Sequence, residues 1–228
     1  MSYQLQFGEL ADYAGVFASG AATTLALTAV ATVLGVAIGI LGAAAYSVDA
    51  RAAVRLRPLL GADVEAIRNT PFVVQLFFIF FGLPALGVHI GEYAAAILAM
   101  TLNLGAYSVE IVRAGVAAVP NGHVEAASAL AMSRAQMLRR VVLPQALAKW
   151  FPALSGQIGI TMLGSAVVSQ ISVADLTYAA GYIQSRNFRA FETYFVITAA
   201  YLAMALLLRG ALGSMGRRLF ARRVRGAR

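Results

Sequence analysis

Few residues in this chain could do covalent chemistry, and their types and spacing exclude most of it. The single lysine, Lys149, lies between Ala148 and Trp150. A phosphate-cradling Walker loop needs glycines followed by Lys-Ser or Lys-Thr. Any use of ATP and Mg must therefore reside in a partner, and no cofactor is expected on this chain. His89 and His123 stand in different connections, so a metal cluster is not expected. There is no cysteine, which excludes disulfides and thiol chemistry. No serine sits in a G-x-S-x-G elbow. What remains is polar groups spaced to line a surface. Gln157, Thr161, Ser165 and Ser169 recur at i, i+4 and would share one helical face. Such a face is costly against lipid. Two readings are open: the wall of a polar pathway, or a packing face joined by hydrogen bonds. Thr24, Thr28 and Thr32 form a second stripe, and Gly35 and Gly39 follow with small-xxx-small spacing. That pattern reads as helix packing. Glu110 and Arg113, three apart, can pair on one face. An ionisable group inside a membrane is a functional candidate, as a gate or clasp or as a ligand contact.

The elements that carry these residues are membrane helices. The chain of 228 residues is 60% hydrophobic and 12% charged, against roughly 25% charged in a soluble domain. Its mean hydropathy is +0.75. Residues 13–48, 69–91, 93–109, 150–174 and 193–208 contain no Asp, Glu, Lys or Arg. A spanning helix needs about 20 mostly apolar residues. This pattern predicts an all-α membrane protein of five spans, near 17–46, 61–84, 91–117, 148–174 and 191–213.

Basic residues orient it. Arg51, Arg55, Arg57 and Arg68 surround the first connection, and Arg134, Arg139, Arg140 and Lys149 the third. Arg209, Arg217, Arg218, Arg222, Arg223, Arg225 and Arg228 crowd the end, while residues 1–50 carry no Lys or Arg. Positive charge marks cytoplasmic loops. The N-terminus is expected outside and the C-terminus in the cytoplasm. The formal charge of +8 thus reads as a topology signal beside anionic lipid, with no nucleic-acid partner. No cleavable leader is expected, because residues 1–12 lack a basic n-region.

The connection after the third span is the most informative. Pro120, Asn121 and Gly122 break the preceding helix. Residues 125–132 then read as a short alanine-rich helix with Glu125 in its first turn. Ser133 and Gln136 have capping-box spacing for another helix start. Leu143-Pro144 marks a further break or bend. A small helix on the cytoplasmic side is either a docking element or a loop helix resting on the membrane.

Glu125-Ala126-Ala127 with Leu143-Pro144 downstream resembles the EAA loop of ABC-importer permeases. Arg68-Asn69-Thr70-Pro71, followed by Gln75-Leu76-Phe77-Phe78, resembles a segment of the polar-amino-acid permeases of the histidine, arginine and glutamine type. Residues 103–115, with 184–188 and 191–192, are similar to the third span and the last external loop of that family. The resemblance covers roughly residues 17–215. It implies a type I ABC importer permease fold of five transmembrane helices in a bacterial inner membrane. The implied layout is an external segment 1–16, the permease domain 17–215 with a coupling helix near 122–132, and a basic cytoplasmic tail 216–228. Implied partners are a second permease subunit, identical or not, two copies of a cytoplasmic ATPase and an external amino-acid-binding protein. ATPase coupling would fall to Gly122, Glu125, Ala126, Ala127, Leu130 and Ala131. Gln75, Asn103 and Glu110 would join Gln157, Thr161, Ser165 and Ser169 along the substrate pathway.

Three positions depart from the family. Ala131 stands where a glycine is usual, which predicts a differently built turn. His123 often has Gln as its counterpart. Residues 163–167 read LGSAV where K-D-T-S-L is frequent, losing both charges. The alternative class, a stand-alone secondary transporter or channel, would show internal repeats or broken midplane helices with coupling charges. A membrane scaffold would not need the EAA loop.

Overall fold

The computed structural model describes residues 4–47 and 51–224, and every described element is a helix or turn. A 3-10 turn, Gly8–Tyr13, leads into α1, Ala14–Ser47. Then come α2 (Arg51–Arg68), α3 (Phe72–Ala85), α4 (Glu92–Ala117), α5 (Asn121–Ala129) and α6 (Arg134–Met137). A π turn, Leu138–Val142, opens α7 (Leu143–Gly164), and a 3-10 turn, Ser165–Ile171, closes it. Helices α8 (Leu176–Asn187) and α9 (Ala190–Val224) complete the order. Residues 1–3, 48–50 and 225–228 lie outside the described residues, and with them part of the expected external segment and Arg225 and Arg228 of the basic tail.

Among the described residues, four helices are long and apolar enough to cross a membrane: Gly8–Ala44, Glu92–Ala117, Arg134–Ile171 and Ala190–Phe220. A fifth exists if the sharply bent pair Gly61–Arg68 and Phe72–Ala85 counts as one. The second expected span is therefore broken, not straight. Pro71 explains the break: it has no N–H to donate, and its ring pushes Thr70 out of helical geometry. Two more expectations change. The connection 175–190 is mostly the helix α8, and the expected end of the last span at 213 is exceeded, because α9 runs to Val224.

The helices divide into two compact units. The first comprises the described part of Met1–Val33 with Thr70–Leu102 and Gly159–Leu208. Its core packs Leu27, Leu76, Met100, Val168 and Val173, and a second cluster joins Met162, Leu176, Ile197 and Met204. Thr24, on the expected packing stripe, accepts a hydrogen bond from the Leu176 N–H at 3.2 Å through Oγ1, and Thr28 Oγ1 donates to the Thr24 carbonyl at 2.8 Å. Gly20 is required there, since a Cβ would stand 2.9 Å from the Asp175 carbonyl oxygen.

The second unit comprises Leu34–Asn69, Asn103–Ile158 and the described part of Arg209–Arg228. Small residues bring α1 against α4 here. A Cβ at Gly35 would lie 3.1 Å from Leu104, and one at Gly39 would lie 2.2 Å from Ser108 Cβ. The small-xxx-small pattern thus does serve packing.

Candidate functional site

The connecting segment of the second unit builds a compact platform. Pro120 is the N-cap of α5, so Asn121 and Gly122 lie inside its first turn instead of in the break before it, and Glu125, expected in that turn, lies one turn further on; the helix ends at Ala129, not at 132. The C-terminus closes as a Schellman motif. The Met132 N–H donates to the Ala127 carbonyl at 3.2 Å, and the Ala131 N–H to Ser128 at 2.9 Å. Ala131 adopts φ 52°, the left-handed conformation that favours glycine. The expectation of a differently built turn is overturned. The turn keeps the glycine geometry, and its two hydrogen bonds hold alanine in it.

The next helix starts as the spacing predicts. Ser133 Oγ accepts from the Gln136 N–H at 3.3 Å, and Gln136 Oε1 accepts from the Ser133 N–H at 2.9 Å, a complete capping box. Pro144 cannot donate to the residue four before it. The chain widens instead into the π turn, where Leu143 N–H bonds to Leu138 O. His123 Nδ1 and Gln145 Oε1 lie 2.7 Å apart and tie α5 to α7. Lys149 Nζ donates to the Ala118 carbonyl.

Of the coupling residues, Gly122, Glu125, Ala126, Leu130 and Ala131 are exposed, Leu130 at 78%. Ala127 is only 3% exposed and packs into its own chain. It supports the helix and offers no side-chain surface to a partner, a correction to the expected set.

The expected pathway residues do not form one group. In the second unit, the Arg113 guanidinium donates to both Glu110 oxygens, at 2.6 and 3.1 Å. This pair lines an open cleft of about 400 Å³ together with Arg68, Asn69, Glu65 and Tyr107. Asn103 and Gln157 are half-buried and do not line it. In the first unit, Gln75 turns back on its own chain, its Nε2 donating to the Thr70 carbonyl at 2.9 Å. Thr161 and Ser165 are buried. Ser165 Oγ donates to Met162 O at 2.7 Å, and Ser169 Oγ to Ala166 O at 2.8 Å. The single stripe also fails geometrically. From Ser165 the chain is a 3-10 turn, with three residues per turn, so Ser169 is rotated about 120° from Ser165.

Sequence reasoning missed a buried polar network in the first unit. Asp175, fully buried, caps α8, its Oδ1 accepting from the Tyr178 N–H at 2.8 Å. Its Oδ2 accepts from the Tyr201 hydroxyl at 3.2 Å, and Tyr201 and Thr177 hydroxyls lie 2.9 Å apart. Burial pushes the Asp175 carboxyl up to about 6, opposed by the Tyr178 N–H and the Tyr201 hydroxyl. A second cluster is centred on Arg189. It reaches Glu9 at 3.0 Å, the buried Glu192 at 3.2 Å and Gln6. Glu192 also accepts the Gln6 N–H at 3.1 Å. The only signal in the sequence was a lone acid just before a helical stretch, the N-cap pattern at Asp175.

The family described as "Binding-protein-dependent transport system inner membrane component" matches residues 35–226. The chain is similar to the L-cystine transport system permease protein TcyB of Bacillus subtilis (strain 168). The two are 36% identical over 172 residues, 75% of this chain and 72% of TcyB. It is also similar to the glutamine transport system permease protein GlnP of Escherichia coli (strain K12), 37% identical over 158 residues, 68% of this chain and 72% of GlnP. Among solved structures, a chain of an amino acid ABC transporter crystallised with histidines matches with a TM-score of 0.87 at 36% identity. That match covers 95% of this chain and 100% of the other. The fold is that of a type I ABC importer permease.

Proposed function

Because this chain belongs to the family of binding-protein-dependent transport system inner membrane components, we propose that it is the membrane-spanning permease subunit of an ATP-driven amino-acid importer. It is a multi-pass membrane protein, placed by this reading in a bacterial inner membrane with its N-terminus outside and its C-terminus in the cytoplasm. A second permease subunit completes the pathway. Two copies of a cytoplasmic ATPase bind and hydrolyse ATP with Mg, and an external binding protein delivers the amino acid.

The observation that carries the reading is α5. It is a nine-residue helix locked at its end by the Schellman turn, with Glu125, Ala126 and Leu130 facing outward. Its alanine and glycine surface admits close approach by another protein, and Leu130 supplies an apolar anchor. When ATP draws the ATPases together, α5 moves with them and the spans change the side to which they open. This linkage requires only that ATP and the amino acid each prefer one of the two states. The pathway residues of this subunit remain Gln75, Asn103, Glu110, Gln157, Thr161, Ser165 and Ser169. Of these, Gln75, Asn103, Glu110, Gln157 and Ser169 keep partly exposed side chains.

Proteoliposomes holding both permease positions, the ATPase and the binding protein test this. Glu125→Arg removes a carboxylate and reverses the charge at an exposed position midway along α5. Losing one charged contact, roughly 1.5–3 kcal/mol, weakens docking about 10- to 100-fold. Ala126→Trp holds the surfaces apart. Substrate-stimulated hydrolysis and uptake should both fall while membrane abundance stays normal. A single cysteine at Ala126, in this cysteine-free chain, should react with an impermeant thiol reagent only from the cytoplasmic side. Normal uptake by a well-expressed Glu125→Arg, Ala126→Trp double variant would overturn α5 as the coupling element, and labelling from outside would overturn the orientation.

A further inference from the structure

We infer that the open cleft of the second unit is a binding site for a small zwitterion, and that its occupant is a free α-amino acid on the cytoplasmic side. The inference rests on the amino-acid reading above. The cleft's volume of about 400 Å³ lies within the range of small-molecule pockets, roughly 300–1,000 Å³.

Its walls carry both signs of charge, from Glu65 and Arg68 on α2 and from Glu110 and Arg113 on α4. The last two are already joined to each other at 2.6 and 3.1 Å. Arg68 is held differently. Its guanidinium carbon lies 5.5 Å from the centroid of the Tyr107 ring, and the Tyr107 hydroxyl donates to the Arg68 carbonyl at 3.3 Å. Among the described residues Arg68 takes part in no salt bridge. A guanidinium set over a ring still offers its N–H groups to an acceptor, and that fork matches a carboxylate in a two-bond pair.

Glu65 stands three residues before Arg68 on the same helix, exposed and facing the same cleft. It supplies the acceptor for an ammonium group. Asn69 Nδ2 donates to the Glu65 carbonyl at 2.8 Å and closes the end of α2 beneath them. An anion alone would meet two carboxylates, and a cation alone two guanidinium groups. A ligand with one oxyanion and one ammonium satisfies both. An α-amino acid has that pattern, and so does a phosphoethanolamine lipid headgroup. The transported class makes the amino acid the occupant to expect on this face.

The test uses the assembled, nucleotide-free transporter in nanodiscs of phosphatidylcholine and phosphatidylglycerol. A single cysteine at Gly61, which lines the cleft, is reacted with a maleimide, and the rate is read on this chain by mass spectrometry. Millimolar L-glutamine should slow the labelling about threefold, as mass action gives when ligand is at about twice its dissociation constant. L-glutamine methyl ester, which lacks the carboxylate, should not. Arg68→Met should remove the protection, and His89→Ala, outside the cleft, should leave it. No protection by glutamine, or protection that survives Arg68→Met, overturns the site. Protection only when phosphatidylethanolamine is added assigns the cleft to a lipid headgroup and overturns the amino-acid occupant. Uptake by the wild-type complex is measured in parallel. Uptake without protection removes this site alone and leaves the transporter reading standing.

Discussion

Replacing Gly39 with alanine perturbs the tightest helix approach in the second unit. An alanine Cβ would lie 2.2 Å from Ser108 Cβ, 2.9 Å from the Ser108 carbonyl carbon and 3.1 Å from its Cα. Carbon atoms pack best at about 3.5–4.0 Å, so the worst contact falls short by roughly 1.3–1.8 Å. No rotamer relieves it, because two of the three atoms are backbone. The helices must shift, and the neighbouring approach of Gly42 to Val109, where a Cβ would meet a side-chain carbon at 2.6 Å, shifts with them. Overpacking of this kind costs about 1–3 kcal/mol. Alanine returns up to about 1 kcal/mol of helix propensity. At a contact this short the upper end of the overpacking range applies, so a net loss of about 2 kcal/mol is expected for Gly39→Ala, and loss of the folded chain for Gly39→Leu. Ser108→Gly deletes the 2.2 Å contact but leaves the contacts at 2.9 and 3.1 Å. Rescue in the double variant should therefore be partial, with a coupling of about 1 kcal/mol. Ser108→Ala is the control. Its hydroxyl is buried without a hydrogen-bond partner, so this change alone should be neutral or stabilising by about 1 kcal/mol. Denaturant unfolding of the purified chain in detergent reads the result through Trp150, its one tryptophan, buried against Gly115 in the same unit. Wild-type stability in Gly39→Ala, or strict additivity in the double variant, would refute the packing argument.

Two further outcomes are expected. The Asp175 carboxyl, held at about 6 against an ordinary 3.8, binds its proton more tightly in the folded chain than in the unfolded one. Its ionisation weakens the fold above about pH 6, and that cost fades as pH falls toward about 4. Between about pH 7.5 and pH 5 the wild-type melting temperature should rise relative to Asp175→Asn, whose neutral amide still caps α8. Asp175→Ala should lose about 1 kcal/mol of capping, and an unchanged or opposite slope in the wild type would sink the assignment. At Ala131, the left-handed conformation costs an L-residue roughly 1–2 kcal/mol. Ala131→Gly should gain about 0.5 kcal/mol after the entropy glycine adds to the unfolded chain. Ala131→Pro, which loses the N–H bonded to Ser128 and cannot reach positive φ, should lose at least about 3 kcal/mol and uncouple hydrolysis from uptake. Normal coupling in the proline variant would show that the turn does not transmit force.

Apolar runs free of charge declared the long helices, because a membrane tolerates little else over that length. Local chemistry also announced the short elements: Pro120 before α5, and Ser133 with Gln136 before α6, act through neighbours a few residues away. Other features depended on groups that only folding brings together. Pro71 stands at the start of the uncharged run 69–91, and the expected span 61–84 ran across the break it makes. The polar stripe assumed 3.6 residues per turn, and the tightening at Ser165–Ile171 turned Ser169 off the face. Asp175 looked like a lone acid in a loop until Tyr201, 26 residues on, met its carboxylate. Glu192 likewise depends on Gln6, 186 residues earlier. Ala126 and Ala127 carry the same side chain, so nothing in their chemistry says which is covered. Packing against the rest of the unit buries Ala127 and leaves Ala126 free. At Ala131 the sequence argued for a new turn, but the two hydrogen bonds closing α5 stabilise the left-handed conformation more than the alanine Cβ opposes it.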